Sequence, residues 1–417
     1  MTSIDTVVIG AGHAGLSVSR LLSRAGCPHV VLDRGRVGER WRSERWDSLR
    51  LLTPNWMTRL PDRQYTGRDP DGFMSATDLV EVLEQYAGTF DVPVLTGTSV
   101  LEVSATADDY RVVTDQGTWR ARRVVIATGP HGKPHVPPGL RTTEVLTANH
   151  YRNPGQLAPG GVLVVGASAS GVQIADELVR TGREVVLAVG RHTRLPRSYR
   201  GLDVFWWLEA TGRLARTIDD VHNVSAARRE PSPQLVGRAH DLDLAVLQAH
   251  EVRLAGRLEG IADGRAWFRH DLAESVTAAE QRMHRFLDTA DDYAARAGLD
   301  TEICPPGRPA AIPVPPTPAS LNLDAERIGT VLLAAGYRPH HPWLHLPITG
   351  PDSSIQQYRG VTAAPGVYVV GQRFQHRRDS AFIDGARHDA EAIVRHLLHQ
   401  AGEVHAALSI ACEEPAA

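Results

Sequence analysis

Three glycines, Gly10, Gly12 and Gly15, follow directly on the β-branched run Thr6–Ile9, an order that can hold a dinucleotide. Gly10 permits a tight turn, Gly12 lets backbone approach a pyrophosphate, and Gly15 lets the next helix pack closely on the strand. That helix is rich in Ala, Leu and Val, runs to about Ala25, and is ended by Gly26. Its N-terminus, with His13 and Ala14 in the loop, offers unpaired N–H groups and a partial positive charge to phosphate. A strand over His29–Leu32 then finishes on Asp33. An acid about 20 residues past such a loop accepts hydrogen bonds from ribose hydroxyls.

The pattern recurs in mid-chain. A strand over Gly161–Val165 leads into Gly166-Ala167-Ser168-Ala169-Ser170-Gly171, with a helix expected over Val172–Arg180 and a strand over Glu184–Val189. Ser168 replaces the second glycine; it is still small, and its hydroxyl can donate to a phosphate oxygen. Where the first site has Asp33, this one has Arg191, with His192 and Arg194 close behind. An acid grips a 2′-hydroxyl, whereas an arginine accommodates a 2′-phosphate, so the second site points to NADPH. Two such sites imply a bound prosthetic group facing a diffusible hydride donor, and a flavin is the usual acceptor in that pairing.

The elements that position these loops must come from a chain of 417 residues, long enough for two domains. Hydrophobic residues make up 42% and charged residues 22%, the balance of a globular chain. A net charge of -3 supplies no basic field for nucleic acid. No apolar run approaches the roughly 20 residues a membrane span needs, and the opening MTSIDTVVIGAG reads as a strand, so no membrane partner and a cytoplasmic location are expected. Cys27, Cys304 and Cys412 lie far apart and form no C-x-x-C pair, which argues against a disulfide framework or a redox dithiol. Lys133 is the only lysine, so arginine clusters carry less functional weight than usual.

Further segments carry a resemblance. Gly38-Glu39-Arg40-Trp41-Arg42, continuing into Trp46-Asp47-Ser48-Leu49-Arg50, resembles the stretch that wraps the flavin in class B flavin-containing monooxygenases. Val124-Val125-Ile126-Ala127-Thr128-Gly129 resembles the family's strand and A-T-G turn, and Leu332 to Tyr337 resembles its second copy, with Ala335 where threonine is common. Gly366 to Gly371, followed by Ser380 to Gly385, is similar to the closing flavin strand and helix. The likeness runs to about His396 and is nearest in character to bacterial flavoproteins and plant YUCCA-type enzymes. It implies FAD contacts at Arg34, Trp41, Arg42, Val100, Ala127, Thr128, Gly129 and Gly371.

There are two departures. Thr147 occupies the place of the family motif's histidine, with His150 displaced by three, and Leu52 stands where relatives carry Asn or His. The Baeyer–Villiger fingerprint is absent, which counts against ester formation.

The resemblance implies an α/β fold of two Rossmann-like dinucleotide-binding domains. An FAD domain over 1–145 and 325–417 would carry an inserted NADPH domain over 146–324. NADPH would reduce the flavin, which would meet O2 and form a C4a-(hydro)peroxide that passes one oxygen atom to a small-molecule substrate. Thr53 and Gln375 are the groups expected near the reacting ring. An NADPH-dependent reductase or oxidase of the same architecture is the alternative, and a redox-sensing regulator is a third class. A monomer or homodimer is expected.

Elsewhere, Phe205-Trp206-Trp207 reads as core or domain interface more readily than as a pocket wall. Met283–Ala297 reads as an amphipathic helix, Pro305–Pro318 as a connector, and the stretch beyond Gln400 as a loosely docked tail. His340, His341 and His345 are interrupted by prolines and lack an acidic or cysteine partner, so no metal site is expected.

Overall fold

The computed structural model describes residues 1–91, 93–141 and 145–400; Cys412 and the expected tail lie outside the described residues. The opening β-branched run forms β1 (Thr2–Ile9), followed by α1 (His13–Arg24), β2 (His29–Leu32) and later the long strand β3 (Gly117–Ile126). β1 lies between β2 and β3, parallel to both, with Val8 opposite Val31 on one side and Val125 on the other. Val7, Val8, Val124, Val125 and Ile126 are fully buried, as parallel strands covered on both faces require. One edge of β3 serves two purposes. Its N-terminal half pairs antiparallel with Tyr110–Thr114, and its C-terminal half pairs parallel with Val367–Val369, the closing strand.

The second unit repeats the scheme with β4 (Gly161–Val165), α2 (Ala169–Arg180), β5 (Val185–Ala188) and β6 (Ile328–Leu333). Its five-stranded parallel sheet runs in the order Arg253–Ala255, β5, β4, β6, Val145–Thr147. β6 stands beside β4 as β3 stands beside β1, with Leu332 opposite Val164. The sheet pairing therefore carries the inserted unit through Leu333, beyond the boundary expected at 324. The apolar run Ile328–Leu333 suits either sheet, and only its partner decides. α2 also begins three residues earlier than expected, at Ala169, because the loop itself supplies the first turn.

The aromatic cluster is core. Phe205 and Trp207 are 2% and 0% exposed and pack with Met283 and Phe286, and the Trp207 indole donates to the Tyr199 carbonyl at 2.7 Å. The amphipathic helix spans Leu272–Arg296, longer than expected at its N-terminal end. Among the described residues no helix is long and apolar enough to cross a membrane.

Candidate active site

The two glycine loops are built alike. Gly10 and Gly166 have φ of 112° and 108°, a region closed to side chains. A Cβ on Gly10 would lie 2.6 Å from the Ala127 carbonyl oxygen; one on Gly166 would lie 2.5 Å from that of Ala334. Gly15 and Gly171 press equally closely on the carbonyls of Gly10 and Gly166. Gly12 and Ser168 hold the N-cap positions of α1 and α2 with nearly identical backbone angles, φ -83° and -85°. A Cβ on Gly12 would meet nothing within 4 Å, which explains why Ser168 is accommodated in the second loop. Neither N-cap makes a side-chain capping bond, so the first-turn N–H groups of both helices remain available to phosphate. Both loops thus fit a pyrophosphate.

Asp33 ends β2 and braces the first loop. Its Oδ2 accepts from the Ala11 N–H at 2.7 Å and its Oδ1 from the Gly35 N–H at 2.9 Å. A carboxylate has about four lone-pair sites, so these bonds still leave acceptor capacity for a ribose. Gly371, φ 76°, sits over the start of α1, where a Cβ would come within 2.8 Å of the Ala14 Cβ. The Gln372 amide then donates to the Gly129 carbonyl at 3.1 Å, tying the closing strand to the turn after β3.

The second loop opens into a cleft of 1420 Å³ whose lining includes Gly166 to Ser170, Arg191, Arg229, Arg257, His131 and Tyr337. Arg191 is exposed there and donates to the Arg229 carbonyl. Sequence reasoning found Arg191 but missed Arg228, Arg229, Arg257, Arg269 and Arg373, which line the same cleft. Only the tertiary fold gathers these arginines, and in so arginine-rich a chain none stands out.

Several expected contacts lie elsewhere. Arg194 is turned into the protein: it is 4% exposed, pairs with Asp243 at 2.8 Å and Glu280 at 3.0 Å, and donates to the Ala310 carbonyl. Buried Asp243 and half-buried Glu280 hold that guanidinium away from the cleft lining, in contrast to the contact expected for it in the second site. Gln375 is fully buried behind the closing strand, with its Oε1 accepting from the Gln372 N–H at 3.3 Å. It supports Gln372 and does not line the cleft. Thr53 is half-buried and also outside the cleft lining; its neighbour Leu52 offers its carbonyl to Arg197 at 2.8 Å.

On the flavin side, Arg42 pairs with Glu84 and Arg34 with Glu44, while the Trp41 ring lies under the Arg45 guanidinium at 5.0 Å. Val100 opens the strand Val100–Ala105 and is half-buried. Thr147 donates to the Asn149 side chain at 2.6 Å, shaping the turn that puts Asn149 in the cleft wall.

The cleft lining is strongly cationic, with seven arginines against Glu259 and Asp352. His131 lies edge-on against Tyr337, ring centroids 4.7 Å apart, and its carbonyl accepts from Arg40. Burial first, then Arg45, Arg40 and Arg373, hold the His131 imidazole well below its usual pKa. Burial alone pulls His13 down to about 4, and its Nε2 is buried without a partner. Both rings are therefore neutral near pH 7. Among the described residues no cluster of His, Cys, Asp or Glu could hold a metal ion.

Residues 7–209, which include the first loop, the second loop and the aromatic cluster, match the family described as pyridine nucleotide-disulphide oxidoreductase. The fold and the paired loops define an architecture of two dinucleotide-binding units. The chain is similar to an uncharacterized CzcO-like oxidoreductase of Geobacillus kaustophilus, 29% identical over 95% of this chain and 99% of that one. It is also similar to the indole-3-pyruvate monooxygenase YUCCA1 of Oryza sativa subsp. japonica, 32% identical over 48% of this chain and 51% of the relative. Its fold matches a flavin-containing monooxygenase from Stenotrophomonas maltophilia with a TM-score of 0.66 and 21% identity, over 96% of this chain and 100% of that one.

Proposed function

We propose that the protein is an FAD-dependent, NADPH-consuming monooxygenase that places one oxygen atom from O2 into a small organic substrate. The observation that carries this reading is the pair of equivalent phosphate loops, at Gly10 and Gly166, the second of which opens into a cleft whose lining contains no cysteine among the described residues. Electrons delivered across that cleft have no dithiol to receive them, which leaves dioxygen or a diffusible acceptor. The homology to flavin monooxygenases favours dioxygen with oxygen insertion.

FAD, when bound, supplies hydride acceptance and oxygen activation. The chain's own residues supply placement. The first turns of α1 and α2 hold the two pyrophosphates, and Asp33 orients the first loop and accepts from the adenosine ribose. Arg191, with Arg229 and Arg257 beside it, meets the 2′-phosphate that distinguishes NADPH from NADH. Gln372, fixed by Gly129 and backed by Gln375, closes the ring side of the flavin site and excludes water there.

Turnover with isotopically labelled dioxygen, NADPH and a panel of amines, sulfides and aromatic acids tests the proposal. One labelled oxygen atom should appear in the product. Recovery of all the label as hydrogen peroxide with every substrate would instead support an NADPH oxidase, and NADPH-driven reduction of a quinone without oxygen uptake would support a reductase.

A further inference from the structure

In a doubly wound sheet the dinucleotide lies across the carboxyl ends of the strands at the switch point, one nucleotide on each side of the phosphate loop. Here the loop follows β4, which lies between β5 and β6. Arg191 follows β5 and marks the 2′-phosphate side, so the nicotinamide half extends over the end of β6, toward Ala335, Gly336 and Tyr337. The segment after the first unit's A-T-G turn meets this same place. Lys133 and Pro134 pair antiparallel with Arg338 and Tyr337, and the His135 N–H donates to the Gly336 carbonyl at 2.8 Å. A Cβ on Gly132 would come within 2.4 Å of the Arg338 carbonyl, so the two segments are in close contact.

His131 stands at the head of that contact. Its backbone is fixed by the short ladder and by Arg40, and its ring is set edge-on against Tyr337. Its side chain is half-buried in the cleft wall, and neither ring nitrogen takes a hydrogen bond from any described residue. A rigidly held imidazole with one donor and one acceptor unused thus lines the cleft beside Tyr337, just past the end of β6. We propose that His131 is a positioning residue for the nicotinamide nucleotide, hydrogen-bonding the uncharged carboxamide end and setting the ring's approach to the flavin. A carboxamide also has both a donor and an acceptor, the complement of a neutral imidazole. Burial first, and then the guanidiniums of Arg45, Arg40 and Arg373, keep the ring neutral and so preserve its acceptor.

This inference rests on the assignment of the cleft to NADPH, and the test separates the two. Holoprotein of the wild type, His131→Phe and His131→Asn is titrated with NADP⁺ and, separately, with 2′,5′-ADP, which carries the 2′-phosphate half without nicotinamide. Binding is followed by calorimetry and by the perturbation of the flavin spectrum. His131→Phe, which keeps the ring stack on Tyr337, should weaken NADP⁺ binding about tenfold, the scale of one lost hydrogen bond. It should abolish the flavin perturbation and leave 2′,5′-ADP affinity unchanged, and His131→Asn should recover part of the NADP⁺ affinity. Unchanged NADP⁺ binding and spectrum in His131→Phe, or equal weakening of both ligands, would overturn the role of His131 alone. Failure of either ligand to bind the wild type would overturn the assignment of the cleft itself.

Discussion

Gly10 and Gly166, 156 positions apart in sequence, present their missing Cβ atoms to the carbonyls of Ala127 and Ala334 at 2.6 and 2.5 Å. Each glycine leaves its strand at the same positive φ, and each is crossed at the same point by the strand that returns to its sheet. The two cofactor sites are therefore two solutions of one packing problem, and they can be broken separately.

Gly10→Ala should lose FAD, and Gly166→Ala should retain FAD but lose reduction by NADPH. Each methyl would collide with a backbone carbonyl and occupy a left-handed conformation, a strain on the order of 1–3 kcal/mol. Visible flavin absorbance after gel filtration, and the NADPH-driven bleaching rate of what remains, distinguish the two. Loss of flavin from Gly166→Ala would show that the loops are not independent.

Arg191 and Arg194 should behave oppositely. Arg191→Ala should weaken NADPH binding about ten- to a hundred-fold, equivalent to roughly 1.5–3 kcal/mol, while NADH binding barely changes. Arg194→Met should leave that preference alone but cost about 3–5 kcal/mol of stability, because it strands Asp243 and Glu280 without their shared cation. Chemical denaturation and nucleotide titration of both variants check the pair. A preference shift in Arg194→Met would restore it to the nucleotide site.

Asp389, 1% exposed on the C-terminal helix, should give stability an acid-side maximum in its window. Burial first, with the Asp379 charge adding to it, raises its pKa from 3.8 to about 7 against the opposing effects of Ser380 and Arg377. The folded state holds this proton where the unfolded chain releases it, so its contribution is complete below pH 3.8 and is lost as pH rises to about 7. The loss is on the order of 4 kcal/mol. Asp389→Asn should therefore be more stable than wild type at pH 8 and similar at pH 4. Parallel denaturation curves for both proteins at all pH values would refute the buried proton.

Both phosphate loops were legible because strand, glycine spacing and helix are local signals, and Gly10 to Gly15 and Gly166 to Gly171 form as expected. Arg191 could be placed by counting past a strand. Arg194 could not be distinguished from it: three residues along the chain turn the side chain from cleft to core, and its partners Asp243 and Glu280 are distant in sequence. The same limit applied to Ile328–Leu333, whose sheet depends on a partner more than 160 residues away. Gln375 was expected near the reacting ring, yet it is fully buried and outside the cleft lining, a depth that is a property of packing. His131 gave no signal beyond lying two residues after Gly129, because its neighbours Tyr337 and Arg45 arrive from other segments.

The central claim is that electrons from NADPH end in an oxygen atom transferred to substrate. Rapid mixing of anaerobically reduced holoprotein with oxygenated buffer, with and without NADP⁺ and over a panel of amines, sulfides and aromatic acids, tests it most directly. The account predicts an absorbing transient distinct from both reduced and oxidised flavin, prolonged by NADP⁺ bound in the cleft between Arg191 and Tyr337. Immediate return to oxidised flavin with stoichiometric peroxide, with or without NADP⁺ and with every substrate, would contradict it.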